Sequence, residues 1–148
     1  MLANLLTEDM IQIEEKESDW KSAIRLASIP LLRKKIIKER YIEAMINNVN
    51  NLGPYIVLAP KIAVPHARPE DGVNEIGLSL LKLNQPVSFK KGDSDKDVNI
   101  IIVIAAIDNS MHLKALSELS HILEDEDNIE KLIKIQSISN VVDFFNNK

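Results

Sequence analysis

Val98-Asn99-Ile100-Ile101-Ile102-Val103-Ile104-Ala105-Ala106-Ile107 is the segment on which the fold turns. It is dense in Ile and Val and shows no alternation of polar and apolar residues, as expected for a strand covered on both faces. Its longest apolar run, Ile100 to Ile107, is far short of the ~18 residues a membrane helix needs, so it predicts the centre of a sheet. Working back along the chain, Lys90 to Asp97 is a hydrophilic loop and Ile76 to Leu83 a second strand. Tyr55-Ile56-Val57-Leu58 and Ile62-Ala63-Val64 are two shorter ones. Pro60 and Pro65 bracket the latter and place it at an edge or a strand end.

Helical periods surround these strands. Asp19 is positioned to cap a helix through Trp20, Ala23, Ile24, Leu26 and Ala27, with a kink or a break into two helices expected near Pro30. The basic residues Arg33, Lys34, Lys35, Lys38 and Arg40 fit a solvated helix face; a nucleic-acid patch is the weaker alternative. Tyr41 to Val49 is amphipathic and ends at Asn50, Asn51 and Gly53-Pro54. After the central strand, Ser110 is read as the cap of a helix through Leu113, Leu116, Leu119, Ile122 and Leu123. Glu124-Asp125-Glu126-Asp127 is a solvated boundary or a charged contact, followed by a helix at Ile129 to Ile135. Ser137 or Ser139 opens a last helix through Val141, Val142, Phe144 and Phe145. Helices before, between and after strands predict an α/β fold: a single-domain sandwich over residues 1–148, with a central mixed β-sheet flanked by helices on both faces.

Composition narrows the function classes. The chain has 148 residues, 45% of them hydrophobic and 27% charged, with a net charge of −4. This mild acidity and only 4% aromatic residues argue against a nucleic-acid binder. With no cysteine, disulfides, thiolate metal sites and thiol nucleophiles are excluded, and a reducing cytoplasm fits. Met1 to Met10 carries Glu8 and Asp9 and reads as no signal peptide, so no membrane insertion is expected.

Several patterns fail on inspection. Asp93-x-Asp95-x-Asp97 opens like a calcium loop, but Val98 and Ile104 stand where glycine and a carboxylate are needed. No phosphate-binding Gly-Lys-Ser/Thr loop exists. His112 and His121 lie nine residues apart, on opposite faces of one helix, so they are not a metal pair. His121 reads as structural or surface. No metal or cofactor is expected.

The chemistry-bearing segment is Leu58-Ala59-Pro60-Lys61-Ile62-Ala63-Val64-Pro65-His66-Ala67-Arg68-Pro69. A strand delivers its chain to His66, beside Pro65, which fixes the backbone, and Ala67, which leaves the imidazole face open. A histidine at a strand end is ordinarily structural; an exposed and rigid one also suits a nucleophile. His112 follows the central strand by one turn, at a helix N-terminus whose N–H groups and Ser110 favour an anion. If the two strands are neighbours, both imidazoles emerge at one end of the sheet. Ile62, Pro65 and Met111 are expected to form an apolar rim around the ring.

Ile62-Ala63-Val64-Pro65-His66 resembles the phosphorylation signature of the mannitol/fructose superfamily of phosphotransferase-system (PTS) enzyme IIA components. Gly53 to Pro60, Pro65 to Val73, Ala105 to His112 and Leu123 to Asp127 are similar to its ascorbate class, so the likeness covers nearly the whole chain. By position, the resemblance implies that His66 is the phosphoryl acceptor and donor, phosphorylated at the tele nitrogen, and that His112 is the second active-site histidine. There are two departures. Lys61 stands where the family usually has glycine. The arginine that the mannitol class carries in the helix end before its signature is absent from Asn47-Asn48-Val49-Asn50-Asn51. Arg68 is a possible substitute, or pairs with Glu70 or Asp71 at the surface.

The resemblance further implies a phosphoryl relay in the cytoplasm. The phosphocarrier protein HPr would supply His66, which would pass the group to a cysteine of a IIB component. A membrane IIC component would move the sugar, L-ascorbate or a related one. The alternative is a regulatory module whose His66 phosphorylation state is read by a protein partner.

Overall fold

The computed structural model describes residues 1–148. Five strands form one mixed sheet: β1 (Ile11–Glu14), β2 (Val57–Ala59), β3 (Lys61–Ala63), β4 (Gly77–Ser88) and β5 (Asp97–Ala105), in the spatial order β1-β4-β5-β3-β2. The β1–β4 and β3–β5 pairs are parallel, whereas β4–β5 and β2–β3 are antiparallel. The Ile/Val-rich segment is the middle strand and is buried along nearly its whole length. Helices α2 (Trp20–Arg33) and α3 (Glu39–Leu52) cover one face, and α1 (Leu2–Leu5), α4 (Asn109–Leu123), α5 (Glu126–Lys134) and α6 (Ile138–Asn146) the other.

Successive β5 side chains alternate between two cores. Ile101, Val103 and Ala105 join a 23-residue cluster with Tyr41, Met45 and Ile24. Ile100, Ile102 and Ile104 join a 19-residue cluster with Leu119, Leu123 and Phe145. The period of two along a strand sends neighbours to opposite faces, and each face finds its own helical cover. The expected sandwich is therefore the observed one.

The local differences have physical reasons. Helix α2 is not broken at Pro30 but runs on to Arg33. Proline removes the N–H that would bond the Leu26 carbonyl, and the Gln12 side-chain amide donates to that carbonyl instead, at 2.7 Å. The helix stops where Lys35 turns left-handed, at φ 61°. Strand β1 was not expected, although Ile11-Gln12-Ile13-Glu14 alternates. Strand β2 starts later than expected because Tyr55 is taken up in the turn after Gly53. Strand β4 runs past Leu83 to Ser88 through a bulge between Lys82 and Val87, which accommodates Pro86. Asn99, buried opposite the bulge, donates to the Leu83 carbonyl at 3.0 Å.

Candidate functional site

Parallel neighbours end on the same side of a sheet, so β3 and β5 release their chains together. His66 follows β3 and His112 lies in the first turns of the helix after β5. Their rings are 4.7 Å apart, centroid to centroid. The two residues are distant in sequence, and the β3–β5 pairing makes them one site.

The His66 ring is half-buried, not exposed as expected. Its Nδ1 lies 2.8 Å from the Val64 carbonyl oxygen. A carbonyl only accepts, so Nδ1 carries the proton, and Nε2 is left with its lone pair. Tyr55 meets the ring edge-on, with centroids 5.8 Å apart. The imidazole is thus held by its backbone partner on one side and two aromatic neighbours.

His112 is also half-buried. Burial holds its pKa below the usual imidazole value of 6.5, and the facing His66 adds to the shift. Both effects favour the uncharged ring, which has one N–H to donate. The helix is capped by Asp108, not Ser110: the Asp108 carboxylate accepts the Met111 N–H at 2.8 Å. Strand β5 ends at Ala105, two residues before Ile107, so the helix starts earlier than expected. This leaves Ser110 exposed in the first turn.

The remaining expectations divide. Arg68 is exposed, with Nε 3.7 Å from carboxylate oxygens of both Glu70 and Asp71, so it takes the surface-pair alternative. Ile62 and Pro65 are buried and cannot form a rim. The exposed large apolar residues are instead Leu52, Tyr55, Leu58, Ile107 and Leu113. His121 lies on the exposed flank of α4, 3.5 Å from Glu124. No group of three His, Asp or Glu side chains is arranged to hold a metal, and no helix is long and apolar enough to cross a membrane.

Two site residues were missed in the sequence. Tyr55 looked like a strand residue and Tyr41 like an apolar member of its helix. Tyr41 is fully buried, and its hydroxyl accepts from the Ala67 N–H at 3.0 Å and donates to the Ile104 carbonyl at 2.6 Å. Desolvation pushes its pKa up to about 12. A phenol on the apolar face of its helix was the only available signal.

Comparison with known proteins gives the chain its family. Residues 4–148 match the family model described as "Phosphoenolpyruvate-dependent sugar phosphotransferase system, EIIA 2". The ascorbate-specific PTS system EIIA component of Escherichia coli K12 is 33% identical over 134 residues, covering 90% of this chain and 86% of that protein. The solution structure of the mannitol-specific cryptic phosphotransferase enzyme IIA from Escherichia coli aligns with a TM-score of 0.90. It is 35% identical and covers 99% of both chains. The mannitol enzyme IIA from Escherichia coli, solved in complex with phosphorylated enzyme IIB, aligns at 0.81 with 27% identity, covering 95% of this chain and 96% of that one.

Proposed function

The chain belongs to the EIIA 2 family of the phosphoenolpyruvate-dependent sugar phosphotransferase system, and from that premise we propose that His66 is its phosphoryl carrier and His112 the group that steadies the phosphate. The donor is the phosphohistidine of HPr. The His66 Nε2 lone pair attacks phosphorus, the Nε2–P bond forms, and the donor's N–P bond breaks with its electron pair returning to the donor ring. Nδ1 keeps its proton on the Val64 carbonyl, so the phosphorylated ring holds positive charge and remains a good leaving group. In the second step a IIB cysteine thiolate attacks, the S–P bond forms, and Nε2 regains its lone pair. The complex of a mannitol enzyme IIA with phosphorylated IIB supports a IIB partner.

The observation that carries the reading is the 4.7 Å approach of the two rings, with Nδ1 of His66 occupied and Nε2 free. No covalent role is asked of His112; it donates to a phosphoryl oxygen as charge develops. The relay operates in the cytoplasm, and the sugar is L-ascorbate or a related one.

The test is incubation with phosphoenolpyruvate, enzyme I and HPr, then with IIB proteins of the ascorbate and mannitol systems. One acid-labile phosphate on His66 is expected, with none on His66→Ala, and onward transfer to the ascorbate IIB. Phosphate mapped to His112 or His121 would overturn the assignment. Loading of His66 with transfer to no IIB would favour the regulatory alternative.

A further inference from the structure

In a regular parallel ladder one residue bonds its neighbour strand twice: its N–H donates to one residue's carbonyl, and its carbonyl accepts from the residue two positions on. Ile104 begins this pattern across from His66. Its N–H donates to the Pro65 carbonyl at 3.1 Å. Its carbonyl should then accept the Ala67 N–H directly. Instead the Tyr41 hydroxyl stands between them, accepting from Ala67 at 3.0 Å and donating to Ile104 at 2.6 Å. The Ala67 carbonyl, at 3.3 Å, is the longer alternative acceptor for the same proton.

We propose that the Tyr41 hydroxyl is a wedge that replaces one rung where the chain after β3 continues alongside β5, and so sets where His66 points. Tyr41 is a positioning residue and does not touch the reacting atoms. A direct rung would draw the chain at Ala67 against Ile104 and close the space over which the His66 ring meets His112. The hydroxyl inserts one oxygen between the Ala67 N–H and the Ile104 carbonyl and holds the two segments apart at that single position. The parts around it fit this role. The ring of Tyr41 is anchored in the core under the sheet. Gly72, at φ 134°, lets the loop after His66 lie against Tyr41, where a Cβ would come within 3.3 Å of the Tyr41 backbone N and Cβ. The hydroxyl meets both partners directly, and both contacts are buried.

This inference rests on the proposed role of His66, and its test separates the two. Tyr41→Phe keeps the ring and removes the wedge. Single-turnover acceptance from phosphorylated HPr should slow about tenfold, with the donor's KM unchanged, since one lost hydrogen-bonded positioning contact is of that order. Asn99→Ala removes a buried hydrogen bond at the far end of β5 and serves as the control for general destabilisation. It should lower the melting temperature without slowing transfer. Imidazole ¹⁵N spectra should show His66 as the Nδ1–H tautomer in the wild type and in Asn99→Ala, and as a tautomer mixture in Tyr41→Phe.

Unchanged spectra and rates in a folded Tyr41→Phe protein would overturn the wedge. Should that variant not fold, the wild type still decides: a slowly exchanging Tyr41 hydroxyl proton with a cross-peak to the Ala67 amide is expected, and its absence is the contrary result. A wild type that accepts no phosphate sinks the proposed function, while the ¹⁵N spectra continue to test the wedge.

Discussion

His112 gives up its proton more readily than a free imidazole because burial and the facing His66 both disfavour the charged ring. The unfolded chain therefore binds a proton there first, so stability falls as pH drops below 6.5. A dianionic phosphoryl group on His66 reverses the local field. The His112 pKa should rise when His66 is phosphorylated, and NMR titration of the two forms measures the change; an unmoved or lowered value would place the phosphate away from this ring. The kinetic counterpart is a transfer rate lower by about tenfold to a hundredfold in His112→Ala, less than a fully enclosed oxyanion donor would give because the site is open. His112→Gln retains a donor and should lose less. Wild-type rates in His112→Ala would reduce this histidine to a packing residue.

At the scale of elements, the turn between β2 and β3 brings the chain into position before the His66 loop, and it does so at a cost. Lys61 sits at φ 73°, in the left-handed region that a side chain resists by roughly 1–2 kcal/mol. Glycine would remove that strain but lose about 0.4–1 kcal/mol through its freer unfolded chain. Lys61 is exposed and has little packing to forfeit. Lys61→Gly should therefore raise stability by up to about 1 kcal/mol, read from the denaturant midpoint; a lower midpoint would show that the side chain contributes more than its exposure suggests. Elements with an unbroken apolar run or a clear helical period were legible in the sequence, as β5 shows for the first and α3 and α6 for the second. So was the meeting of His66 with His112, because it needed only two strands and their order. What was hidden depended on distant partners. The continuity of α2 rests on Gln12, which lies in another element and which the proline itself does not announce, and the extension of β4 rests on Asn99 satisfying its bulge. Tyr41 was hidden for the same reason: its hydroxyl acts on Ala67 and Ile104, and neither stands near it in sequence.

For the whole molecule, the net charge of −4 is small and the surface around the paired histidines carries apolar residues. Tyr55 abuts the His66 ring, and Ile107 and Leu113 flank His112 along the chain at 52% and 64% exposure. Apolar contact survives screening, so the KM for the proposed donor, phosphorylated HPr, should rise only modestly between low salt and about 0.5 M, where the Debye length is a few Å. Leu113→Ala or Ile107→Ala should raise it more than salt does; complete loss of docking at moderate salt would show that charge alone holds the partner. The parallel pairing of β3 with β5 has one more consequence. His66 emerges from the ribosome well before the strand that completes its surroundings, and the nascent chain then holds an ordinary histidine. On the proposed role of His66, readiness to take phosphate should arrive late, once β5 has docked, so the uptake of label during refolding would time the closing of the sheet.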